Sequence, residues 1–345
     1  MARRWKTRPE GSNWGEFGDD DERGRLNLIT REKVLQGIAE VKEGRTFCLS
    51  LPLDRPGGNI LNPRRFPPRR AATLRGDVQN FNFPLSRENP VNSDVICDDA
   101  VLLHTQYSTQ WDSLAHVGSL FDADGDGVKE IVYYNGWRGG EHVTGASGSG
   151  AEAWARFEGT AAKALGIENM AEACVQGRGV LIDLHAHFGR ERRFVSYDDL
   201  MRVCDADKVT VEKGDMVCLH TGFGQAILDM KEPNAEVLHH SCTVLDGRDR
   251  KLLQWITDSG LAVLIADNYA VEGHPSRDPE HDSCASLPLH EHCLFRLGIH
   301  LGEIWYLTEL ANYLREHRRN RFLLTAPPLR LPYAVGSPVT PIATV

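Results

Sequence analysis

Three short apolar runs, each followed by polar residues, most strongly constrain the fold of this chain. They cover residues 179–184, 215–221 and 262–267, and their length and composition predict buried strands. Helical spacing of apolar residues predicts helices elsewhere, with Thr30 as a candidate N-cap for the first. The predicted helices cover residues 31–43, 151–165, 252–259 and 289–297. This mixture, without a regular βαβ period, predicts an α/β or α+β fold.

Composition narrows the class of protein. The 345 residues are 41% hydrophobic and 25% charged, as in ordinary soluble globular proteins, and the formal net charge is -9. That charge argues against general binding to nucleic acid or to anionic membranes. No apolar run reaches the ~18 residues of a membrane span, and the eight cysteines show no Cys-x-x-Cys pair. We therefore expect a cytoplasmic protein that acts on a small-molecule substrate.

Residues 54–93 carry many of the prolines and arginines and are predicted to form a long loop. A loop of that length in a compact enzyme usually covers or borders a site. The paired arginines at 64–65 and 69–70 are interpreted as solvated, at an oligomer contact, rather than as a polyanion site.

Residues 106–116 place polar side chains at close intervals between two apolar runs. Gln106, Gln110 and Asp112 would share one face of an extended strand, and His116 follows them. A row of oxygen donors beside a histidine suits a hydrolytic pocket that holds a metal or water. A half-buried strand with its polar side in solvent explains the spacing equally well, so both interpretations stay open at this point.

The same segment resembles the signature of the metal-dependent cyclase/hydrolase family, which includes kynurenine formamidase and isatin hydrolase. That signature reads His-x-x-x-His-x-Asp-x-x-x-His. Carried over, the metal ligands fall on Gln106, Gln110 and Asp112, and the catalytic acid/base falls on His116. Two ligand histidines are thus glutamines here, as in a longer branch of the family that the segment Thr-Gln-Trp-Asp resembles.

Residues 289–303 resemble a second family motif, His-x-x-Leu-Leu-x-x-x-Gly-Val-x-x-x-Glu, whose His and Glu complete the metal site. They map onto His290 and Glu303. Residues 214–222 and 265–272 resemble family strands that lie between the two motifs. The similarity runs along nearly the whole chain in the expected order.

The resemblance implies a single α/β domain over residues 1–345, with a swivelling β/β/α arrangement, a mixed sheet and flanking helices. An N-terminal segment, residues 1–30, would wrap the surface, and the chain would form a homo-oligomer, a dimer or tetramer. It further implies a hydrolase that cleaves a small cyclic or N-acyl amide, imide or lactone by attack of a metal-assisted water. An isomerase, dehydratase or cyclase using the same acid/base groups, and a non-catalytic binding relative, are the alternatives.

In this interpretation His116 is the acid/base, Asp112 and Glu303 are catalytic carboxylates, and Gln106, Gln110 and His290 join them around a metal. Trp111, Tyr133 and Tyr134 are predicted to wall the substrate pocket. Replacing imidazole by amide oxygen favours Mn²⁺ or Mg²⁺ over Zn²⁺. A metal-free mechanism, in which Asp112 orients His116, stays open.

Asp122, Asp124 and Asp126 match the first half of a calcium-binding loop. The twelfth position, which should be Glu, is Tyr133. A tight polar hairpin is the preferred interpretation.

Overall fold

The computed structural model describes residues 3–145, 159–278 and 284–345. Strands β1 to β21 cover, in chain order, Thr46–Cys48, Arg69–Ala72, Leu74–Arg75, Val78–Gln79, Phe83–Pro84, Val95–Ile96, Asp99–Leu102, Gln110–Asp112, Ser119–Phe121, Glu130–Val132, Val143–Thr144, Ala161–Ala162, Gln176–Asp183, Arg193–Val195, Met216–His220, Thr243–Leu245, Val263–Ala266, His300–Glu303, Arg321–Thr325, Gly336–Pro338 and Ile342–Thr344.

Helical segments alternate with these strands. The α-helices are Arg31–Ala39, Ile167–Glu172, Leu184–Phe188, Tyr197–Ala206, Phe223–Asp229, Ala235–His239, Arg250–Ser259, Pro288–His290 and Thr308–Glu316. A π-helical segment, Glu291–Leu297, continues the helix Pro288–His290 and ends at Gly298 in the left-handed conformation. Among residues 3–145, 159–278 and 284–345, no helix has the length and apolar character that a membrane crossing requires.

One large mixed sheet organises the described residues. Its nine strands follow the order β1-β21-β19-β13-β15-β17-β18-β8-β20. The central strands β13, β15, β17 and β18 are parallel, whereas β8 pairs antiparallel with β18 and β20. The carboxyl ends of the parallel strands therefore lie along one edge, where ligands bind in open α/β sheets.

Both faces of the sheet are buried, which explains the continuous apolar runs in the sequence. Along β13, Val180 and Ile182 belong to one hydrophobic cluster and Leu181 to the other. Residues of the helices Tyr197–Ala206 and Arg250–Ser259 belong to the first cluster, and residues of Ile167–Glu172 and Thr308–Glu316 to the second. The predicted α/β class, with a mixed sheet and flanking helices, is confirmed.

Local sequence signals account for several elements. The three apolar runs coincide with β13, β15 and β17. Thr30 accepts a hydrogen bond from the backbone N–H of Lys33 and caps the first helix as predicted. The predicted helix at 151–165 lies largely outside the described residues, and Ala161–Ala162 is a short strand.

Residues 54–93 are less irregular than predicted. Two-stranded ribbons, which pair β2 with β7, β3 with β4 and β5 with β6, occupy much of residues 69–102. The ribbons could not be predicted from the sequence, because most of these strands are two residues long and their side chains are largely exposed. Residues 52–68, by contrast, form the irregular segment that reaches the candidate site.

Candidate active site and metal centre

The two family-like segments lie side by side in the sheet. Strand β8 pairs antiparallel with β18, and Gln110 stands opposite Glu303. Because side chains alternate along a strand, Gln110, Asp112 and Glu303 project from the same face. Residues 106–116 and 290–303 thus meet in space.

His290 reaches this face from the short helix Pro288–His290. Its Nε2 lies 3.1 Å from Glu303 Oε1. The possible metal-ligand atoms, one from each residue, lie within 4.8 Å of one another in the set Asp112, His290 and Glu303. All three residues are buried. His292 faces elsewhere, since its Nε2 lies 2.9 Å from Thr257 Oγ1. A buried set of two carboxylates and an imidazole matches the donor chemistry of a divalent metal site.

Glu272 holds His290 in this position, a role that the sequence did not indicate. Glu272 Oε1 lies 2.8 Å from His290 Nδ1 and accepts the His290 backbone N–H, while Oε2 accepts the N–H of Leu289. The close approach requires Gly247, where a Cβ would lie 2.1 Å from Glu272 Oε2. A carboxylate on Nδ1 fixes the ring so that Nε2 points at Glu303, as in carboxylate–histidine–metal arrangements.

The two carboxylates also set the charge of His290. Burial opposes protonation, but the hydrogen bonds and charges of Glu272 and Glu303 dominate and raise the pKa of His290 to about 10. The pKa of Glu303 is lowered although burial raises it, because His290 donates to it. This raised pKa makes His290 an imidazolium at neutral pH, held between the carboxylates of Glu272 and Glu303.

Gln106 joins the cluster from outside the strand. The sequence placed it on an extended strand with Gln110 and Asp112, but β8 begins only at Gln110 and residues 105–109 turn. Its side chain folds back, so that Nε2 donates to Asp112 Oδ1 at 2.5 Å and lies 2.8 Å from His116 Nδ1. Gly336 makes room for it, since a Cβ there would lie 2.6 Å from Gln106 Cγ. Gln106 therefore touches Asp112 and His116 through its nitrogen.

His116 lies at the edge of the cluster, with 20% of its side chain exposed and Nε2 at 4.0 Å from Asp112 Oδ1. Burial lowers its pKa, and positive charge on His290 and Arg65 adds to this against the opposing effect of Asp112. The ring is therefore neutral at pH 7. Because an amide nitrogen only donates, Nδ1 accepts from Gln106 and the ring proton sits on Nε2.

Two buried oxygens of the cluster have no hydrogen-bond partner among the described residues: Gln110 Oε1 and Asp112 Oδ2. Gln110 directs its nitrogen instead at Glu303 Oε2, 3.2 Å away. Buried polar atoms are rarely left unpaired, because each costs about 1–3 kcal/mol. Negative charge also exceeds positive charge here, since the carboxylates of Asp112, Glu272 and Glu303 face one imidazolium. Both observations fit a bound divalent cation.

A small cavity adjoins Gln106. Its lining comes mainly from the irregular segment 52–68 and from the turns after β17 and β18: Pro56, Asn59, Leu61, Asn62, Arg65, Gln106, Tyr107, Tyr269 and Ile304. The sequence assigned Arg65 to a solvated loop and gave Tyr269 no role. No local sequence signal distinguishes Arg65 from the exposed Arg64 beside it.

Trp111 does not line this cavity, contrary to the sequence-based prediction. It is fully buried on the opposite face of the sheet, where it packs edge-on against Trp305 and donates Nε1–H to the carbonyl of Ala326. The alternation that brings Gln110 and Asp112 together places Trp111 on the other side.

Tyr133 and Tyr134 also lie elsewhere. Tyr134 is fully buried, and its ring lies so close to Gly298 that a Cβ there would be 2.7 Å from Tyr134 Cζ. Tyr133 is half-buried beside Gly118. Both tyrosines belong to the core around Trp14 and Phe295 rather than to the described cavity wall.

The aspartate-rich segment forms the tight hairpin that was preferred over a calcium loop. It joins β9 to β10. Asp122 accepts the N–H groups of Gly125, Asp126 and Gly127, and Asp124 pairs with Arg138. Asp122 is thus used within the turn, and Asp124 pairs with an arginine beyond it.

Comparison with known proteins bears on the family and the fold. Residues 49–273 match the Cyclase family model. A solved structure described as a novel cyclase is 31% identical, with a TM-score of 0.73 and 97% of both chains covered. Isatin hydrolase A from Labrenzia aggregata, solved with benzyl benzoate, is 13% identical over 90% of this chain and 97% of its own, with a TM-score of 0.54. Isatin hydrolase A from Ralstonia solanacearum is 15% identical over 91% of this chain and 97% of its own, with a TM-score of 0.53.

No protein of curated function matches the sequence. The match to the family model spans more than half of the chain, and the likeness to the novel cyclase spans almost all of it. The chain belongs to the cyclase family.

Proposed function

We propose that this protein is a hydrolase that cleaves a small cyclic or N-acyl amide, imide or lactone. The supporting observation is the buried Asp112–His290–Glu303 cluster. With the adjoining Gln110 it has two buried oxygens that lack a partner among the described residues, and it lies beside a partly exposed imidazole. Hydrolysis by a metal-activated water requires a metal-binding cluster and a neighbouring acid/base group.

Asp112, His290 and Glu303 would hold a divalent cation, with Gln110 Oε1 as an additional neutral oxygen. Such an ion would polarise the scissile carbonyl and lower the pKa of a bound water. Gln106 could join through oxygen only if its amide turned over, because its nitrogen now faces Asp112. Few imidazoles and several oxygens form a hard donor set, so we propose Mn²⁺ or Mg²⁺ rather than Zn²⁺.

His116 would move the protons of the reaction. With the amide of Gln106 as described, the neutral ring carries its proton on Nε2 and can only donate a hydrogen bond. If the amide turns over, its oxygen accepts a hydrogen bond from Nδ1–H, and Nε2 is free to take a proton from water and return it, from the imidazolium so formed, to the leaving nitrogen or oxygen. Asp112, 4.0 Å from Nε2, stabilises the imidazolium that this transfer forms.

The test combines metal analysis with product analysis. Protein purified without added ions is analysed for metal, then assayed before and after chelation on lactams, imides, N-formyl anilides and lactones in ¹⁸O-water. We expect loss of activity on chelation, recovery with Mn²⁺ or Mg²⁺, and one solvent oxygen in each product. Full activity without metal would contradict the metal centre, and a product without solvent oxygen would favour isomerisation or dehydration instead.

A variant tests the acid/base group separately. His116→Ala should lower kcat by about 10²- to 10⁴-fold, the usual contribution of a positioned proton donor or acceptor. His240→Ala is the matched control, because His240 is exposed and its Nδ1 lies 2.8 Å from the carbonyl of Glu236 on the preceding helix. An unchanged rate in a folded His116→Ala protein would reject His116 as the acid/base.

A further inference from the structure

Arg65 lacks a counter-ion among the described residues. It lines the cavity beside Gln106, is half-buried, and its Nη1 donates to the backbone carbonyl of Gln106 at 2.8 Å. That is the one hydrogen bond of its guanidinium to a described residue, whereas Arg25, which also has no carboxylate partner there, donates to three backbone carbonyls. A partly desolvated guanidinium with free N–H groups is a site that a planar anion satisfies.

Arg65 lies beside the reaction site. The residue whose carbonyl it contacts, Gln106, places its side-chain Nε2 2.5 Å from Asp112 Oδ1 and 2.8 Å from His116 Nδ1. Arg65 is therefore close enough to the cluster to bind one end of a small molecule whose other end reaches His116.

The other residues that line the cavity indicate which chemical groups the rest of such a molecule would carry. The hydroxyl of Tyr107 is already used by the loop, because it donates to Gly58 O and accepts from Gly57 N–H. The hydroxyl of Tyr269 is contacted by Asn62 at 3.4 Å. The cavity thus presents aromatic rings and the apolar side chains of Leu61 and Ile304, with Arg65 as a cation that has no ion-pair partner among the described residues.

We propose that the substrate carries a carboxylate and that Arg65 binds it, which orients the scissile carbonyl toward the Asp112–His290–Glu303 cluster. This inference rests on the proposed hydrolase function and narrows it to anionic amides, imides or lactones with an apolar body. The cavity now has a volume of about 10 Å³, room for about one water, so segment 56–65 must shift outward when the substrate enters. The carboxylate then replaces the Gln106 carbonyl as the acceptor of the Arg65 N–H.

The experiment uses two matched pairs of probes: phthalimide-4-carboxylate with its carboxamide, and 4-formamidobenzoate with its carboxamide. The members of a pair have the same shape and differ in charge. The wild-type protein should prefer the carboxylate in kcat/KM. Arg65→Met should reduce the carboxylate-to-carboxamide ratio by about 10- to 150-fold, the equivalent of losing one charged hydrogen-bonded contact.

Arg64→Met is the matched control, since Arg64 is exposed, carries the same charge and does not line the cavity. It should leave the ratio unchanged. If Arg65→Met lowers kcat/KM equally for the carboxylate and the carboxamide of a pair, Arg65 acts in the reaction or in loop folding. That result would overturn carboxylate recognition. A wild-type protein without preference would overturn it as well.

Calorimetric binding of 4-aminobenzoate and 4-aminobenzamide, the products of the formamido pair, separates this inference from the proposed function. Selective binding of the carboxylate, lost in Arg65→Met, together with no turnover of any probe would uphold Arg65 and contradict the hydrolase. Turnover of both members of a pair, with no difference in binding, would uphold the hydrolase and contradict the role of Arg65.

Discussion

Binding of a divalent metal should displace a proton from His290. In the metal-free protein this imidazole is held as an imidazolium between Glu272 and Glu303, with a pKa of about 10. A metal needs the lone pair of Nε2, which now carries the proton shared with Glu303 Oε1. The metal and the proton therefore compete for one atom.

The size of the effect on metal affinity follows from the difference between the pKa of His290 and the pH of the experiment. A raised pKa means that the proton stays bound up to about pH 10, so the affinity for metal rises with pH throughout the neutral range. Each pH unit should increase the affinity about tenfold. At pH 7, about three units below the pKa, removing the proton costs roughly 4 kcal/mol, which weakens metal binding by about a thousandfold.

Titration calorimetry with Mn²⁺ measures this directly. At one pH in two buffers of different ionisation enthalpy, the difference in heat should correspond to about one proton released per metal. Glu272→Gln is the informative variant, because it removes one of the two carboxylates that hold the proton. It should reduce both the proton release and the dependence of affinity on pH. Metal binding without proton release, with equal affinity at pH 7 and pH 8, would refute the charge state assigned to His290.

Three other outcomes follow from the site and the fold. Gln110→His should shift metal preference toward Zn²⁺ by supplying an imidazole in place of the unpartnered oxygen, and an unchanged Mn²⁺-to-Zn²⁺ ratio in competition titrations would contradict a ligand role for Gln110. Trp111→Ala should lower the free energy of unfolding by about 3–5 kcal/mol in urea titrations without a selective change in KM, since Trp111 packs on the far face of the sheet. We also expect a dimer or tetramer in light scattering, because the ribbons at 69–102 expose apolar side chains such as Leu74, and a monomer at micromolar concentration would contradict this.

The sequence was most informative where a side chain's position follows from strand periodicity. Gln110 and Asp112 share a face because they are two residues apart on β8, and the same rule excludes Trp111 from that face. The rule could not place Gln106, because it assumes a strand where the chain turns, and only the tertiary structure shows the side chain folding back onto Asp112. That Glu303 joins the site of Gln110 was implied by the resemblance alone, and the pairing of β8 with β18 that brings them together was not predicted.

Other parts of the site depend on contacts that no local pattern encodes. Arg65 and Arg64 are adjacent and chemically identical, yet one lines the cavity and the other faces solvent. Glu272 lies 18 residues before His290 and reaches it only because the chain after β17 passes the start of the helix Pro288–His290. Such contacts are set by the path of loops, and composition predicts only that those loops are polar.

The glutamines change how this cluster is stabilised when no metal is bound. An imidazole ligand presents a lone pair to a metal, whereas an amide presents either an oxygen or a donor nitrogen. In this structure both amides direct their nitrogen inward, Gln106 to Asp112 and Gln110 to Glu303, so they offset part of the negative charge that a cation would otherwise neutralise. Binding a metal through Gln106 must break that hydrogen bond and turn the amide, and the same turn moves the proton of His116 from Nε2 to Nδ1. Metal occupancy and the tautomer of the His116 ring, which decides whether Nε2 can take a proton, are therefore linked through one side chain, a coupling that a histidine at position 106 would not provide.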